Sequence, residues 1–278
     1  MDGKGESGAR LLARARKGVK AEVEALIHEV DGTTRSECFD RLIGRMAWHW
    51  HYSFHNQHLI AEQRPTATRV RGKSQWAREG RVVRKGEQAI LIYTPGSDTG
   101  WPFRMAWVFD VLQTDGPEGA PRIVREAEAW LPAIEAAAQW LGIALRPLSR
   151  SEHLVIGLLG NASPDSVGIR HDLAPHERIR VLCHEYAHVL LHLEAGQVLP
   201  PREQREMEAE AVSHVVCRAL EVPLGNGLES AAEYIVWNGA STADLTRSLR
   251  RITSAGKAIL TAIEGRRPRS RIPAWKAA

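Results

Sequence analysis

The segment His184-Glu185-Tyr186-Ala187-His188 constrains this 278-residue chain more than any other feature. Apolar residues recur around it at intervals of three and four, which predicts a helix over about residues 175–194. Residues four apart lie one turn apart on the same side of a helix, so His184 and His188 can bind one ion. Glu185 is expected to reach a water molecule at an open coordination position and to act as a general base. The pattern therefore predicts a catalytic metal centre.

A catalytic zinc site needs a third protein ligand, and the next predicted helix, about residues 201–220, offers two acidic side chains one turn apart. Glu206 is the preferred ligand, with Glu210 accepting a hydrogen bond from a ligand imidazole, although spacing alone leaves the two roles open. His192 continues the four-residue series but lies about 12 Å from His184 along the helix axis, too far to share an ion. The donor set favours Zn²⁺, with Mn²⁺ as the alternative.

Composition is that of a globular protein able to form a core, with 44% hydrophobic and 25% charged residues. No apolar run approaches the roughly 20 residues of a transmembrane helix, and the N-terminus lacks the apolar stretch of a signal peptide. The cysteines Cys38, Cys183 and Cys217 form no CxxC pair, so neither a disulfide framework nor a thiolate zinc site is expected. These features predict a cytoplasmic protein without a membrane partner.

The periodicities predict an α+β fold in two parts: N-terminal helices with a small sheet, then a mainly helical part with a short sheet. The polar, Gly- and Pro-rich segment Gln113–Pro121 is the expected linker. The predicted helices cover about residues 8–30, 34–64, 124–141, 175–194, 201–220, 229–238 and 242–264. The predicted strands cover about residues 69–70, 80–83, 89–93, 105–111, 144–146, 154–159 and 167–170.

Residues 64–87 form a basic stripe, with eight basic and two acidic side chains and hence a local net charge of +6. Such a stripe suits a polyanionic partner, although a solvated strand face would have the same composition. Trp76, with Tyr93 or Trp107 as alternatives, is the candidate to stack on unpaired bases. The candidate DNA-binding residues are Arg64, Arg69, Arg71, Lys73, Trp76, Arg84 and Lys85.

Two segments around the metal-binding pattern carry a family resemblance. CHEYAHVLLH at 183–192, followed by REMEAEAVSHVV at 205–216, resembles the zincin-like domain of ImmA/IrrE metallopeptidases and of ArdC-type antirestriction proteins. The resemblance maps the third metal ligand onto Glu206. It also implies that the upstream segment 166–182 begins with an edge strand that holds an extended substrate by strand addition. The segment containing Tyr234 and Trp237 is similar to the C-terminal helices of such proteins.

The basic stripe carries a second resemblance. YSFHNQ at 52–57, RP at 64–65, GKSQW at 72–76 and VRKGE at 83–87 are similar in order and spacing to the N-terminal domain of ArdC-like proteins, which binds single-stranded DNA. The two resemblances cover roughly residues 35–264, and the first helix lies outside them. The predicted domains are a single-stranded-DNA-binding domain at 1–120 and a zinc metallopeptidase domain at 121–265. Residues 266–278 are expected to form a basic, disordered tail.

The two resemblances together imply a zinc metallopeptidase that binds single-stranded DNA. Its role would be antirestriction and protection of incoming DNA, or regulated proteolysis of an unidentified protein substrate. One alternative is a non-catalytic DNA-binding protection factor whose metal is structural. Another is a metallopeptidase whose N-terminal domain recruits protein instead of DNA.

Overall fold

The computed structural model describes residues 8–29, 31–95, 103–117, 126–193, 199–223 and 241–268. The helix predicted over 229–238, with Tyr234 and Trp237, and most of the basic tail lie outside the described residues. Within them, helices predominate and three small sheets accompany them, so the fold is α+β. None of the described helices has the length and apolar character needed to cross a membrane.

The chain forms two compact units that alternate along the sequence. The first comprises Met1–Ala25 and His51–Ile123, and the second comprises Leu26–Trp50 and Val124–Ala278. The first unit is therefore not the continuous stretch 1–120. The physical reason is that an amphipathic helix joins whichever apolar surface its buried face meets, and sequence order does not reveal that surface.

The first unit combines a small antiparallel sheet with helices. Its elements are the start of α1 (Gly8–His28), α3 (Phe54–Gln63), β1 (Val70–Gly72), α4 (Lys73–Arg78), β2 (Val82–Val83), β3 (Ile90–Pro95), β4 (Phe103–Asp110) and β5 (Thr114–Asp115). The antiparallel sheet has the order β1-β4-β3, and β2 pairs with β5. Ile90, Ile92 and Val108 on one face pack with Ile60 of α3, and Leu91 and Met105 on the other face pack against Leu11 of α1.

Two predictions for this part of the chain are wrong. The helix predicted over 34–64 is two helices, α2 (Gly32–Trp48) and α3, because Ser53 caps α3 by accepting a hydrogen bond from the Asn56 N–H. The cap of α2 is Asp31, which accepts from the Thr34 N–H. The segment predicted to be a linker begins too early, since Gln113 is fully buried and the next two residues form β5.

The outer edge of β3 is covered by two side-chain amides of α3. Asn56 donates to the Tyr93 carbonyl at 2.8 Å and accepts from the Tyr93 N–H at 3.2 Å. Gln63 does the same for Leu91, at 2.8 and 2.9 Å. These two amides stand in for a neighbouring strand and block the edge against pairing with another chain.

The second unit contains the metal-binding pattern. Besides α2, its elements are α5 (Ala127–Leu141), β6 (Ala144–Pro147), α6 (Arg150–His153), β7 (Gly160–Ala162), β8 (Ser166–Ile169), α7 (Pro175–His192), α8 (Arg202–Ala219) and α9 (Thr242–Ile263). Helix α7 packs against α5, α8 and α9, and β7 and β8 pack against α7 as well. The sheet order is β6-β8-β7, with β6 parallel and β7 antiparallel to β8.

Two strand predictions in the second unit are also wrong. Residues 154–159 form no strand, because Gly157 has a φ of +79° and the Leu158 N–H bonds to the Val155 carbonyl, which closes a tight turn. The strand at 166–169 is the central strand and not the edge strand. The strand next to α7 at the edge is β7, whose residues Gly160–Ala162 were not predicted to be a strand.

Candidate metal centre

His184 and His188 lie on the side of α7 that faces α8, because the apolar residues of α7 point into the core. Ile179, Leu182 and Tyr186 are fully buried there. The two Nε2 atoms are 3.1 Å apart. Glu206 of α8 places its Oε2 at 3.5 Å from each of them. Two neighbouring helices thus bring three potential ligand atoms to one point.

The separations of these three atoms fit a divalent metal. Zn–N and Zn–O bonds of about 2.0–2.1 Å at tetrahedral angles would separate the ligand atoms by roughly 3.3 Å. The observed 3.1 and 3.5 Å lie on either side of that value. His184, His188 and Glu206 could therefore hold a metal ion without rearrangement of the helices.

Glu210 lies on the opposite side of the His184 ring. Its Oε2 is 3.1 Å from His184 Nδ1, and its Oε1 is 3.2 Å from His214 Nε2 and 3.5 Å from the Arg180 guanidinium. Burial would raise the pKa of Glu210, but the hydrogen bonds with His184 and His214 lower it below its ordinary value. An ionised Glu210 can accept the Nδ1–H of His184, which leaves Nε2 as the nitrogen that can coordinate a metal.

His184 and Glu206 perturb each other's proton affinity. Burial would lower the pKa of His184, but hydrogen bonds with Glu206 and Glu210 outweigh it and raise that pKa to about 9. The hydrogen bond with His184, together with that of His188, lowers the pKa of Glu206. A cation is thus favoured at this point, and without a metal a proton takes its place.

Glu185 is buried beside strand β7. Burial raises its pKa above the ordinary value, although His184 and His188 oppose this rise. Its carboxylate accepts a hydrogen bond from the Ala162 N–H. A Cβ added at Gly160 would lie 2.9 Å from Glu185 Cγ, so only glycine allows the strand to pass this close.

His192 is not part of the ligand cluster. Its side chain is fully buried, and its Nε2 is 3.4 Å from Glu208 Oε2. Glu208 also bonds to Ser248 at 2.6 Å and lies 3.3 Å from the Arg251 guanidinium. This buried polar cluster joins the C-terminal end of α7 and the first half of α8 to α9.

The candidate DNA-binding residues of the first unit differ in their freedom to bind phosphate. Arg69 and Arg71 both pair with Glu79, at 2.6 and 3.2 Å. Arg84 pairs with Glu87 and Asp115, and Arg64 lies 3.7 Å from the buried carboxylate of Asp110. Lys73 lies over the Phe109 ring, and Lys85 is exposed in the turn after β2.

The prediction that Trp76 stacks on a base is wrong. Its ring is fully buried, and its indole N–H donates to the Phe109 carbonyl at 2.9 Å. Trp107 is instead 58% exposed. It lies on the same sheet face as Phe109, two residues along β4, and as Arg71, which is opposite Phe109 on β1.

The chain resembles the antirestriction protein ArdC. Its fold is similar to the metal-free crystal structure of ArdC from the R388 plasmid, with 18% identity over 78% of this chain and 85% of that one and a TM-score of 0.40. The Mn(II)-bound structure of the same protein matches at 18% identity over 82% and 94% of the two chains, with a TM-score of 0.44. No family model and no curated protein matches the chain significantly. What the site can do therefore rests on its own geometry.

Sequence patterns missed two features of these sites. The first is β7, whose sequence Gly160-Asn161-Ala162 is too short and too polar to show strand alternation; the glycine was the available signal. The second is which tryptophan is exposed, because Trp107 was named only as an alternative to the buried Trp76. Alternation along β4 places Trp107 on the same face as the buried Phe109, so the pattern alone does not reveal that Trp107 is exposed.

Proposed function

We propose that the second unit is a zinc-dependent metallopeptidase. The observation that carries this is the convergence of His184, His188 and Glu206 within hydrogen-bonding distance of one another, with the buried carboxylate of Glu185 beside them. Bound there, Zn²⁺ would supply the Lewis acidity that makes water nucleophilic near pH 7. Mn²⁺ is the alternative, since two imidazoles and a carboxylate suit both ions.

Glu185 would act as the general base. Its raised pKa suits a group that takes a proton from the attacking water and returns it to the leaving amine. Glu210, by accepting the Nδ1–H of His184, would fix the orientation of that ring. Neither role requires movement of α7 or α8.

The edge of β7 would hold the substrate. Ser163 N–H bonds to the Ser166 carbonyl and Arg170 N–H to the Leu159 carbonyl, so by alternation the main-chain groups of Gly160 and Ala162 point away from β8. Of these groups, the Ala162 N–H already donates to the Glu185 carboxylate. No strand in the described part of the chain pairs with that edge. An extended peptide added there would lie against Glu185.

The test compares the zinc-loaded protein with its Glu185→Gln variant on an equimolar library of random peptides. We expect equal zinc content and a loss of cleavage of at least about 100-fold, because a positioned base contributes 10²–10⁴-fold. Glu203→Gln, an exposed glutamate in the first turn of α8, is the control and should cleave normally. Full cleavage by Glu185→Gln would exclude the general-base role.

We further propose that the first unit binds single-stranded DNA. The specific support is the exposed ring of Trp107 on a sheet face that also carries Arg71, with Lys73 over the neighbouring Phe109 ring. An exposed ring beside cationic groups can stack on a base while the cations contact phosphates. Antirestriction, in which this unit would bring the peptidase to incoming DNA, is the role we propose for the whole protein.

This second proposal is tested with a fluorescent oligothymidine across a salt series. Binding should weaken as salt rises, and Trp107→Ala should weaken it about tenfold, as expected for loss of one stacked base. Trp140→Ala removes a comparably exposed tryptophan from the second unit and should have no effect. Equal binding by the two variants would contradict the role of Trp107. Normal DNA protection by Glu185→Gln in cells would favour the non-catalytic alternative.

A further inference from the structure

The turn that follows α6 exposes three consecutive apolar side chains. Leu154, Val155 and Ile156 are 80%, 53% and 100% exposed. The turn is closed by the bond from the Leu158 N–H to the Val155 carbonyl, at 3.2 Å, and Gly157 supplies the positive φ that this turn requires. Ile156 therefore sits at the apex of a defined turn. We call residues 154–156 the apolar tip.

The apolar tip is attached to the sheet that flanks the metal centre. Glu152, two residues before it, accepts two hydrogen bonds from Arg146 of β6, both at 2.8 Å. The same carboxylate accepts from Asn161 of β7 at 2.9 Å. Glu152 also closes a capping box with Ser149 at the start of α6. The tip thus holds a fixed position relative to the strand edge beside Glu185.

Contiguous exposed apolar side chains are unfavourable in water and commonly mark a surface that binds a partner. The tip leads directly into β7, with Ile156 four residues before Gly160. We propose that the apolar tip is a specificity element of the peptidase, which binds a large apolar side chain of the protein substrate. This inference rests on the proposed function, and it names the class of substrate.

The direction of the strand fixes which part of the substrate meets the tip. A peptide that adds to β7 antiparallel runs opposite to Gly160–Ala162, and the tip precedes the start of that strand. The tip therefore meets residues on the C-terminal side of those that pair with Ala162. Substrates are expected to carry Leu, Ile, Val, Met or Phe there.

The test uses the full chain loaded with zinc and the equimolar random peptide library, with cleavage sites identified by mass spectrometry. Cleaved peptides should be enriched about tenfold in large apolar residues at one position C-terminal to the cleaved bond, as one apolar pocket contact can discriminate. The enrichment should disappear in the double variant Leu154→Ser/Ile156→Ser. The matched control is Leu112→Ser, a 59% exposed leucine of the first unit. Unchanged thermal unfolding of the double variant would show that it folds.

A binding measurement separates this inference from the peptidase proposal. Zinc-loaded Glu185→Gln protein is immobilised, and the library peptides that it retains are sequenced, with and without the two tip substitutions. If retention of apolar peptides depends on the tip, the inference is supported. This holds even if the unsubstituted protein cleaves no peptide, a result that would contradict only the peptidase proposal. The inference would be overturned if the apolar enrichment persisted in the double variant. It would also be overturned if neither the cleaved nor the retained peptides of the unsubstituted protein were enriched in apolar residues.

Discussion

Two carboxylates of α8 differ in their geometry toward the same imidazole. Glu206 is half exposed and lies 3.5 Å from His184 Nε2, whereas Glu210 is largely buried and lies 3.1 Å from His184 Nδ1. A metal on Nε2 would therefore be bound by Glu206 and supported by Glu210 through the ring. The two side chains thus meet different nitrogen atoms of one ring although they are only one helical turn apart.

Substitution of these glutamates should separate the two functions. Glu206→Ala removes a ligand atom, and we expect stoichiometric zinc to be lost on dialysis. Glu210→Gln keeps the ligands but weakens the support of His184, so affinity should fall about 10- to 100-fold. Competition with a fluorescent zinc chelator measures the zinc affinity of both variants. The control, Glu203→Gln, should bind zinc as tightly as the unsubstituted protein. Equal losses for Glu210→Gln and Glu206→Ala would mean that the assignment is wrong.

The raised pKa of His184 makes metal binding depend on pH. Hydrogen bonds with Glu206 and Glu210 overcome burial and place this pKa at about 9 in the metal-free protein. Zinc must displace that proton, so affinity should rise about tenfold per pH unit between pH 7 and 9, with close to one proton released at pH 7. Titration calorimetry in buffers of different ionisation enthalpy measures the number of protons released when zinc binds. The absence of proton release at pH 7 would contradict the prediction.

The same pKa has a consequence for stability. Because the folded-state pKa of about 9 lies above the ordinary 6.5, the charged His184 stabilises the metal-free protein fully below pH 6.5. That contribution is lost as the pH rises through 9.

At the scale of elements, the approach of β7 to α7 depends on one glycine. A Cβ added at Gly160 would lie 2.8 Å from Val181 Cγ1 and 2.9 Å from Glu185 Cγ. Gly160→Ala should therefore destabilise the protein by about 1–3 kcal/mol, the cost of an overpacked core, as measured by urea unfolding. At Gly32 an added Cβ meets no atom within 4 Å, so Gly32→Ala is the control. Equal stability of the two variants would contradict the close approach.

The protected edge of β3 gives a second prediction at this scale. Asn56→Ala or Gln63→Ala removes two hydrogen bonds to the strand, and each should cost about 1–3 kcal/mol. Gln88→Ala, at an exposed glutamine just before β3, should cost little. The double variant should also self-associate more readily in light scattering, because the exposed edge can then pair with another chain. Unchanged unfolding curves would mean that these amides do not stabilise the edge.

At the scale of the molecule, the three potential metal ligands all belong to the second unit. Zinc should thus protect α7 and α8 from hydrogen exchange while leaving β3 and β4 unchanged. At a free zinc concentration of about 100 times the dissociation constant, the stabilisation is about 2.7 kcal/mol. Hydrogen exchange with and without chelator, measured by mass spectrometry, tests this. If removal of zinc increased hydrogen exchange equally in both units, the metal would stabilise the whole chain and not the second unit alone.

The sequence by itself determined the pattern on α7. A spacing of four on one helix necessarily places His184 and His188 one turn apart, and periodicity sufficed to find that helix, α8 and α9. It could not choose between Glu206 and Glu210, because both lie on the same face of α8 and only the packing of α8 on α7 decides which one meets the Nε2 atoms. The same limit applies to Trp76, whose burial depends on contacts with β4 that no local pattern contains.

Other features were decided only by the tertiary structure. The exposure of residues 154–156 reverses the expectation for an apolar run, since a turn at Gly157 carries it into solvent. The position of β8 in the centre of the sheet and of β7 at its edge depends on how the strands pair. Composition does not reveal this pairing, since the two strands are short and close in sequence. Helix α2 joins the second unit because its apolar face meets α8. Local spacing determines which side chains share one face of a helix or strand. Only the packing between elements determines which residues that face contacts.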